Sequence, residues 1–216
     1  EVFGPDTVSY LVFNGTAANV VSAAGVVDAY QAVVCAATSH IHFDECGAIE
    51  RFAGCRVLVV EAVDGKLDPA CLERVPEGHA EPHQSKPHLL SITQATELGT
   101  VYTPDEVRSL ADAAHERGWL LHMDGARLAN AAAALDVSLR ATTVDAGIDL
   151  LSFGGTKCGL LLGEAVLYFD PALATRLAYV HKQGLQLASK MRFLSAQFLA
   201  LLDGDLWQQI GAHANA

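Results

Sequence analysis

The stretch Leu151-Ser152-Phe153-Gly154-Gly155-Thr156-Lys157-Cys158-Gly159 places a single lysine just after an apolar run and two glycines. A primary amine in such a setting can attack a carbonyl once it is desolvated or set near positive charge. Taken alone, the same residues also describe a surface turn with a solvated lysine. A second group with chemical capacity is Asp124, in His122-Met123-Asp124-Gly125-Ala126-Arg127 at the end of another apolar run. Arg127, three residues on, can grip a carboxylate through two parallel N–H bonds. In Asn14-Gly15-Thr16 an apolar run turns through glycine into a helical pattern. The free N–H groups of such a helix start, beside the positive end of its dipole, make a phosphate seat. An ordinary strand-to-helix turn has the same local sequence.

His40 lies in Thr38-Ser39-His40-Ile41-His42-Phe43-Asp44-Glu45, where two histidines and two acids invite a metal reading. No further Cys/His cluster completes such a site, and Asp44 and Glu45 can equally begin the helix that Gly54 stops. No metal is expected. A histidine at a strand end can instead lay its flat ring on an aromatic ligand. His79 and His83 are four apart, but Pro82 between them spoils a helical ligand pair, so both read as loop residues.

The elements that must hold these groups follow from hydrophobic runs and breakers. Strands are expected at Val8 to Phe13, Val33 to Ala37, Arg56 to Glu61, Leu89 to Thr93, Trp119 to Met123, Asp149 to Phe153 and Glu164 to Phe169. Helices are expected at Ala17 to Val27, from Asp68-Pro69, from Thr103-Pro104-Asp105-Glu106 to Gly118, and at Leu128 to Leu135. Asp170-Pro171 opens a long helical region to about Leu202 with a break at Gly184, and Pro76 to Pro87 reads as a loop. Strands alternating with helices at this spacing predict an α/β fold, a mostly parallel sheet with helices on both faces. Ligands of such sheets sit at the C-terminal strand ends. Gly15, Thr16, His40, Asp124, Arg127 and Lys157 all fall there.

The 216 residues carry a net charge of −11 and are 51% hydrophobic. That suits a core-rich globular protein and argues against nucleic acid or an anionic membrane as partner. Neither a transmembrane helix nor a signal peptide is expected. Five cysteines without a C-x-x-C pair favour free thiols and a cytoplasmic setting.

A phosphate seat, a flat ring, a carboxylate and a strand-end lysine match what pyridoxal 5'-phosphate requires of a protein. Its aldehyde needs an amine that can form a Schiff base, and its ring nitrogen needs an anion that keeps it protonated. There is no G-x-G-x-x-G for a dinucleotide, and Gly154-Gly155-Thr156-Lys157 lacks P-loop spacing. His122-Met123-Asp124-Gly125-Ala126-Arg127-Leu128-Ala129-Asn130-Ala131 and Ser152-Phe153-Gly154-Gly155-Thr156-Lys157 resemble motifs of the low-specificity threonine aldolases, in the β-eliminating lyase group of fold-type I pyridoxal phosphate enzymes. The likeness extends from Asn14-Gly15-Thr16-Ala17-Ala18-Asn19 to Lys190-Met191-Arg192-Phe193-Leu194-Ser195-Ala196-Gln197.

The resemblance implies an aspartate aminotransferase-like large domain. It implies that Gly15 and Thr16 bind the cofactor phosphate, His40 stacks on the ring, Asp124 pairs with the pyridine nitrogen, Arg127 contacts the substrate carboxylate and Lys157 carries the cofactor. Lys182 matches a basic position that reaches the phosphate of a neighbouring subunit, which implies a homo-oligomer, dimer or tetramer, with shared sites. The implied reaction cleaves the Cα–Cβ bond of a β-hydroxy-α-amino acid, threonine or allo-threonine giving glycine and acetaldehyde, with His40 or a water it orients as base. A β-eliminating lyase on the same scaffold and a truncated, non-catalytic cofactor-binding domain are the alternatives. Two departures stand out: Cys158 where the family often has asparagine, and Thr93-Gln94-Ala95-Thr96 where it often reads Glu-Asn-Thr-His. Residues 1–180 are expected to form the large domain, with an N-terminal arm missing. Residues 181–216 are expected to lead into a truncated C-terminal domain.

Overall fold

Apolar runs that do not alternate with polar residues must be covered on both faces, and this dictates a sheet sandwiched between helices. The computed structural model describes residues 2–75 and 82–216; His79 lies outside the described residues. In chain order, β1 (Val8–Val12) leads into α1 (Gly15–Ala24), β2 (Gln31–Ala36), the short α2 (His40–Phe43), α3 (Ala48–Ala53) and β3 (Arg56–Val60). Next come α4 (Pro69–Leu72), β4 (Lys86–Thr93), α5 (Pro104–Glu116), β5 (Leu120–Gly125) and α6 (Leu128–Leu135). The chain continues through β6 (Leu150–Gly154), β7 (Glu164–Tyr168), α7 (Leu177–Gln183), α8 (Arg192–Leu202) and α9 (Leu206–Asn215).

The seven strands lie in the order β1-β7-β6-β5-β4-β2-β3. Only β7 runs antiparallel to its neighbours, so the sheet is mostly parallel, as the alternating pattern predicts. All residues of β2, β6 and β7 are buried. One core, with Val21, Ile41, Ile49, Leu150, Tyr168 and Leu177, sits beneath α1, α3 and α7. The other, with Ile92, Leu110, Leu121, Met123, Leu128 and Trp207, sits beneath α5, α6 and α9.

Local chemistry explains most boundaries. Thr103 accepts from the Glu106 N–H while the Glu106 side chain returns to the Thr103 N–H, a full capping box with Pro104 behind it. Asp68 and Asp170 cap the turns they open. Four boundaries differ from the sequence reading. β4 starts at Lys86, within the expected loop, because Pro87 falls where the register against β2 shifts, from Ala32↔Pro87 to Val33↔Leu89, and such a bulge tolerates a missing N–H. His40 is not at a strand end: β2 stops at Ala36, and His40 is the first residue of α2. The helix expected from Asp44 begins at Ala48 instead, since Cys46 and Gly47 take left-handed backbone with φ of 54° and 69°. Past Gly184, Leu185 is also left-handed, and helix resumes only at Arg192.

The two motif strands touch through backbone. A Cβ on Gly154 would lie 2.7 Å from the Ala126 Cα, so only glycine lets β6 pass beneath the turn that follows Asp124. Because the opposing atoms are main chain, Gly154→Ala is expected to destabilise the protein by about 1–3 kcal/mol. Urea unfolding of the variant beside the wild type measures this.

Candidate active site

Gly15, Asn19, His40, Glu45, Thr93, Glu97, Asp124, Ala126, Arg127 and Lys157 line one cavity at the C-terminal strand ends. Gly15 arrives from the turn after β1, Thr93 from the end of β4, Asp124 and Arg127 from the end of β5, and Lys157 from the turn after β6. Five residues expected from sequence, Gly15, His40, Asp124, Arg127 and Lys157, therefore meet. Thr16 sits beside them in the first turn of α1 but faces a neighbouring apolar pocket with Phe52 and Gly184. Lys182 is exposed on α7 and does not line the cavity of its own chain.

Lys157 is not enclosed as its apolar neighbours suggested. It sits in a one-turn 3-10 helix, Thr156–Cys158, that lifts it above the sheet, and its side chain is exposed. The burial belongs to what precedes it. Gly155 is packed so closely that a Cβ would approach the Phe198 ring to 2.8 Å, and its N–H donates to Glu164 Oε2 at 2.6 Å. Burial pushes the Glu164 carboxyl above the usual carboxylate range, opposed by this bond and by Thr156. The turn is thus fixed from below while the amine stays free to reach the cavity.

Asp124 is 5% exposed. Its Oδ1 accepts the Ala126 N–H at 3.0 Å and its Oδ2 accepts an Asn19 side-chain N–H at 2.8 Å. No cation among the described residues pairs with it. The other Asn19 hydrogen goes to Glu45 Oε1 at 2.9 Å, and that same oxygen lies 3.0 Å from His40 Nδ1. Burial raises the pKa of Glu45, partly countered by the bonds from Asn19 and His40. Glu97 holds the opposite wall, accepting from the His40 backbone N–H at 2.8 Å and from Thr93 Oγ1 at 2.9 Å.

Asn19, Glu97 and the inward role of Glu45 were not read from the sequence. Asn19 had a usable signal: an asparagine within the apolar run of α1 must be buried, and buried amides need partners. Glu45 and Glu97 had none, since each meets its partner only in the folded chain. Gln94, in the stretch that departs from the family pattern, has a structural task, bonding the Tyr102 carbonyl and N–H at 2.8 and 3.0 Å. Among the described residues, no cluster of three or more His, Cys, Asp or Glu could hold a metal ion.

The residues fit the cofactor that the resemblance implies. A buried carboxylate with two N–H donors and no cation calls for a cationic partner in the cavity, which a protonated pyridine nitrogen would be. Two further buried atoms, Asn19 Oδ1 and Glu45 Oε2, lack hydrogen-bond partners among the described residues. At the start of α1, Asn14 takes the Ala17 N–H at 2.8 Å, and a Cβ on Gly15 would meet nothing within 4 Å, so the helix start is open to a phosphate.

Below Asp124, His122 joins the strands: Nδ1 to Ser91 Oγ at 2.9 Å, Nε2 to Ser152 Oγ at 3.0 Å. Burial lowers its pKa from 6.5 to about 4, with Asp124 opposing. The unfolded ring takes up a proton below about 6.5 and the folded ring does not until about 4, so this contribution is full above 6.5 and lost as pH falls. The loss totals roughly 3 kcal/mol. His122→Gln is expected to flatten the rise of stability between pH 4 and 6.5, read from urea midpoints across that range.

The sheet order and the strand-end cavity define a protein of the aspartate aminotransferase-like fold. Aspartate aminotransferase from Thermus thermophilus superposes with a TM-score of 0.69 at 17% identity, over 95% of this chain and 52% of that one. A profile of the beta-eliminating lyase family matches residues 1–216, and the chain belongs to that family. It is 45% identical over its whole length to a low specificity L-threonine aldolase of a Pseudomonas species, and 44% to that of Pseudomonas aeruginosa. The chain spans 62% of the length of each. A Leishmania major threonine aldolase structure superposes with a TM-score of 0.93 at 31% identity, over 99% of this chain and 62% of that one.

Proposed function

We propose that this chain is the cofactor-binding part of a pyridoxal phosphate-dependent lyase that cleaves threonine or allo-threonine to glycine and acetaldehyde. The observation that carries the reading is the meeting in one cavity of Lys157 from the turn after β6, Asp124 and Arg127 from the end of β5, and His40 from α2. Bound there, pyridoxal phosphate supplies an aldehyde for amine chemistry and a protonated ring that accepts the electron pair released at Cα.

The chain's residues provide the rest. Gly15 and Thr16 offer N–H groups to the phosphate. Asp124 holds a proton on the ring nitrogen, and Lys157 offers the amine. Arg127, exposed at the cavity mouth, holds the substrate carboxylate, and His40 takes the β-hydroxyl proton as the Cα–Cβ bond breaks. Lys182, outside its own cavity, suits the phosphate of a second copy, supporting a dimer or tetramer. Five free cysteines, four of them buried, support a reducing, cytoplasmic setting. Among the described residues no helix is long and apolar enough to cross a membrane. The division into a large domain (1–180) and a segment leading to a C-terminal domain (181–216) belongs to the same reading; α9 of that segment packs back on α6, with Gly211 against the Ala129 backbone.

The test is to load the protein with pyridoxal phosphate and supply L-threonine and L-allo-threonine. Acetaldehyde and glycine in equal amounts are expected. Pyruvate and ammonia from serine would favour β-elimination instead, and binding without turnover a non-catalytic domain.

A further inference from the structure

A base needs one ring nitrogen free and the other fixed, and His40 has both conditions set by groups outside the family motifs. Its backbone N–H is held by Glu97, and its Nδ1 lies 3.0 Å from Glu45 Oε1, whose side chain is fully buried. Nε2 has no hydrogen-bond partner among the described residues. Glu45 is itself fixed, because Oε1 also accepts from Asn19, and the second hydrogen of that amide goes to Asp124. The chain His40–Glu45–Asn19–Asp124 therefore runs without a gap from the ring to the buried carboxylate.

We propose that Glu45 is a positioning residue that holds His40 in the Nδ1–H tautomer, leaving Nε2 as the proton acceptor towards the cavity, and that Asn19 ties this pair to Asp124. Oε1 of Glu45 already accepts an N–H from Asn19, and as an acceptor facing Nδ1 it takes a hydrogen from the ring in the same way. The other charged groups facing the pair are Asp124, Glu97, Arg127 and Lys157, all lining the same cavity. Asn19 has one amide hydrogen for each carboxylate, so Glu45 and Asp124 are held apart in fixed directions, and neither can turn without breaking a buried bond. The role of His40 as base rests on the function proposed above; its tautomer does not.

The tautomer is read directly by ¹⁵N NMR of ring-labelled histidine in the cofactor-free protein, at a pH where the ring is neutral, with His40→Gln assigning the signal. The wild type is expected to show the Nδ1–H form, Glu45→Leu to revert to the Nε2–H form favoured in water, and Glu45→Gln, whose carbonyl still accepts, to keep Nδ1–H. An Nε2–H ring in the wild type overturns the proposal, and this holds even if Glu45→Leu does not fold. So does a Glu45→Leu ring that remains Nδ1–H. In the loaded enzyme, Glu45→Leu should lower kcat by roughly 10²-fold or more with KM little changed, and Glu45→Gln should restore most of it. If threonine is not cleaved but the tautomer is as expected, the proposed function fails and this inference stands.

Discussion

Lys157→Ala is expected to abolish covalent attachment of pyridoxal phosphate and to lower turnover of threonine by at least about 10⁴-fold, the scale seen when a covalent catalytic group is removed. Borohydride reduction followed by peptide mapping should mark Lys157 in the wild type and nothing in the variant. The change should leave folding intact. Lys157 is exposed, and its turn is held by Gly155 and Glu164, so the urea midpoint should move by no more than about 0.5 kcal/mol equivalent. A label on another lysine, or turnover without Lys157, would remove the foundation of the proposed function.

The second large effect concerns Asp124. Asp124→Asn keeps the shape and a carbonyl for the Asn19 bond but removes the charge that would keep the ring nitrogen protonated. kcat should fall by about 10²–10⁴-fold. Stability of the cofactor-free protein should fall by about 1–3 kcal/mol, because Asp124 accepts N–H groups from both Ala126 and Asn19 and the amide has one oxygen for the two. The kcat of the folded variant separates the two effects: a loss of the size given above marks a group whose charge serves chemistry. A kcat like that of the wild type would make Asp124 a structural residue.

Much of the framework was legible in the sequence because its signals are local. The capping box at Thr103, Pro104 and Glu106, the caps at Asp68 and Asp170, and the alanine-rich α6 each depend on residues within one turn. The strand-end placement of Asp124 and Lys157 was legible because each closes an apolar run, although the lysine stretch by itself also described a surface turn. What stayed hidden is non-local. Glu45 reads as a helix-starting acid until Cys46 and Gly47 turn left-handed, and its partner Asn19 lies 26 residues away. The bulge that admits Pro87 into β4 exists only against β2. The exposure of Lys157 is set by a 3-10 turn whose geometry depends on Glu164 and Gly163 in the next strand and its approach.

The place of β1 at the sheet edge ties assembly of the site to completion of the fold. Val8 to Val12 pair with Tyr168 to Glu164, the last of the seven strands, and among the described residues β7 is the one strand that β1 pairs with, so the Gly15 turn is anchored to the sheet through that pairing. Closing so long a loop is slow compared with forming the parallel neighbours in between. A chain still short of that step has Asp124 and Lys157 but no phosphate seat. Ligand affinity would then distinguish finished molecules from unfinished ones, and cofactor present during refolding would draw the population towards the closed sheet by mass action.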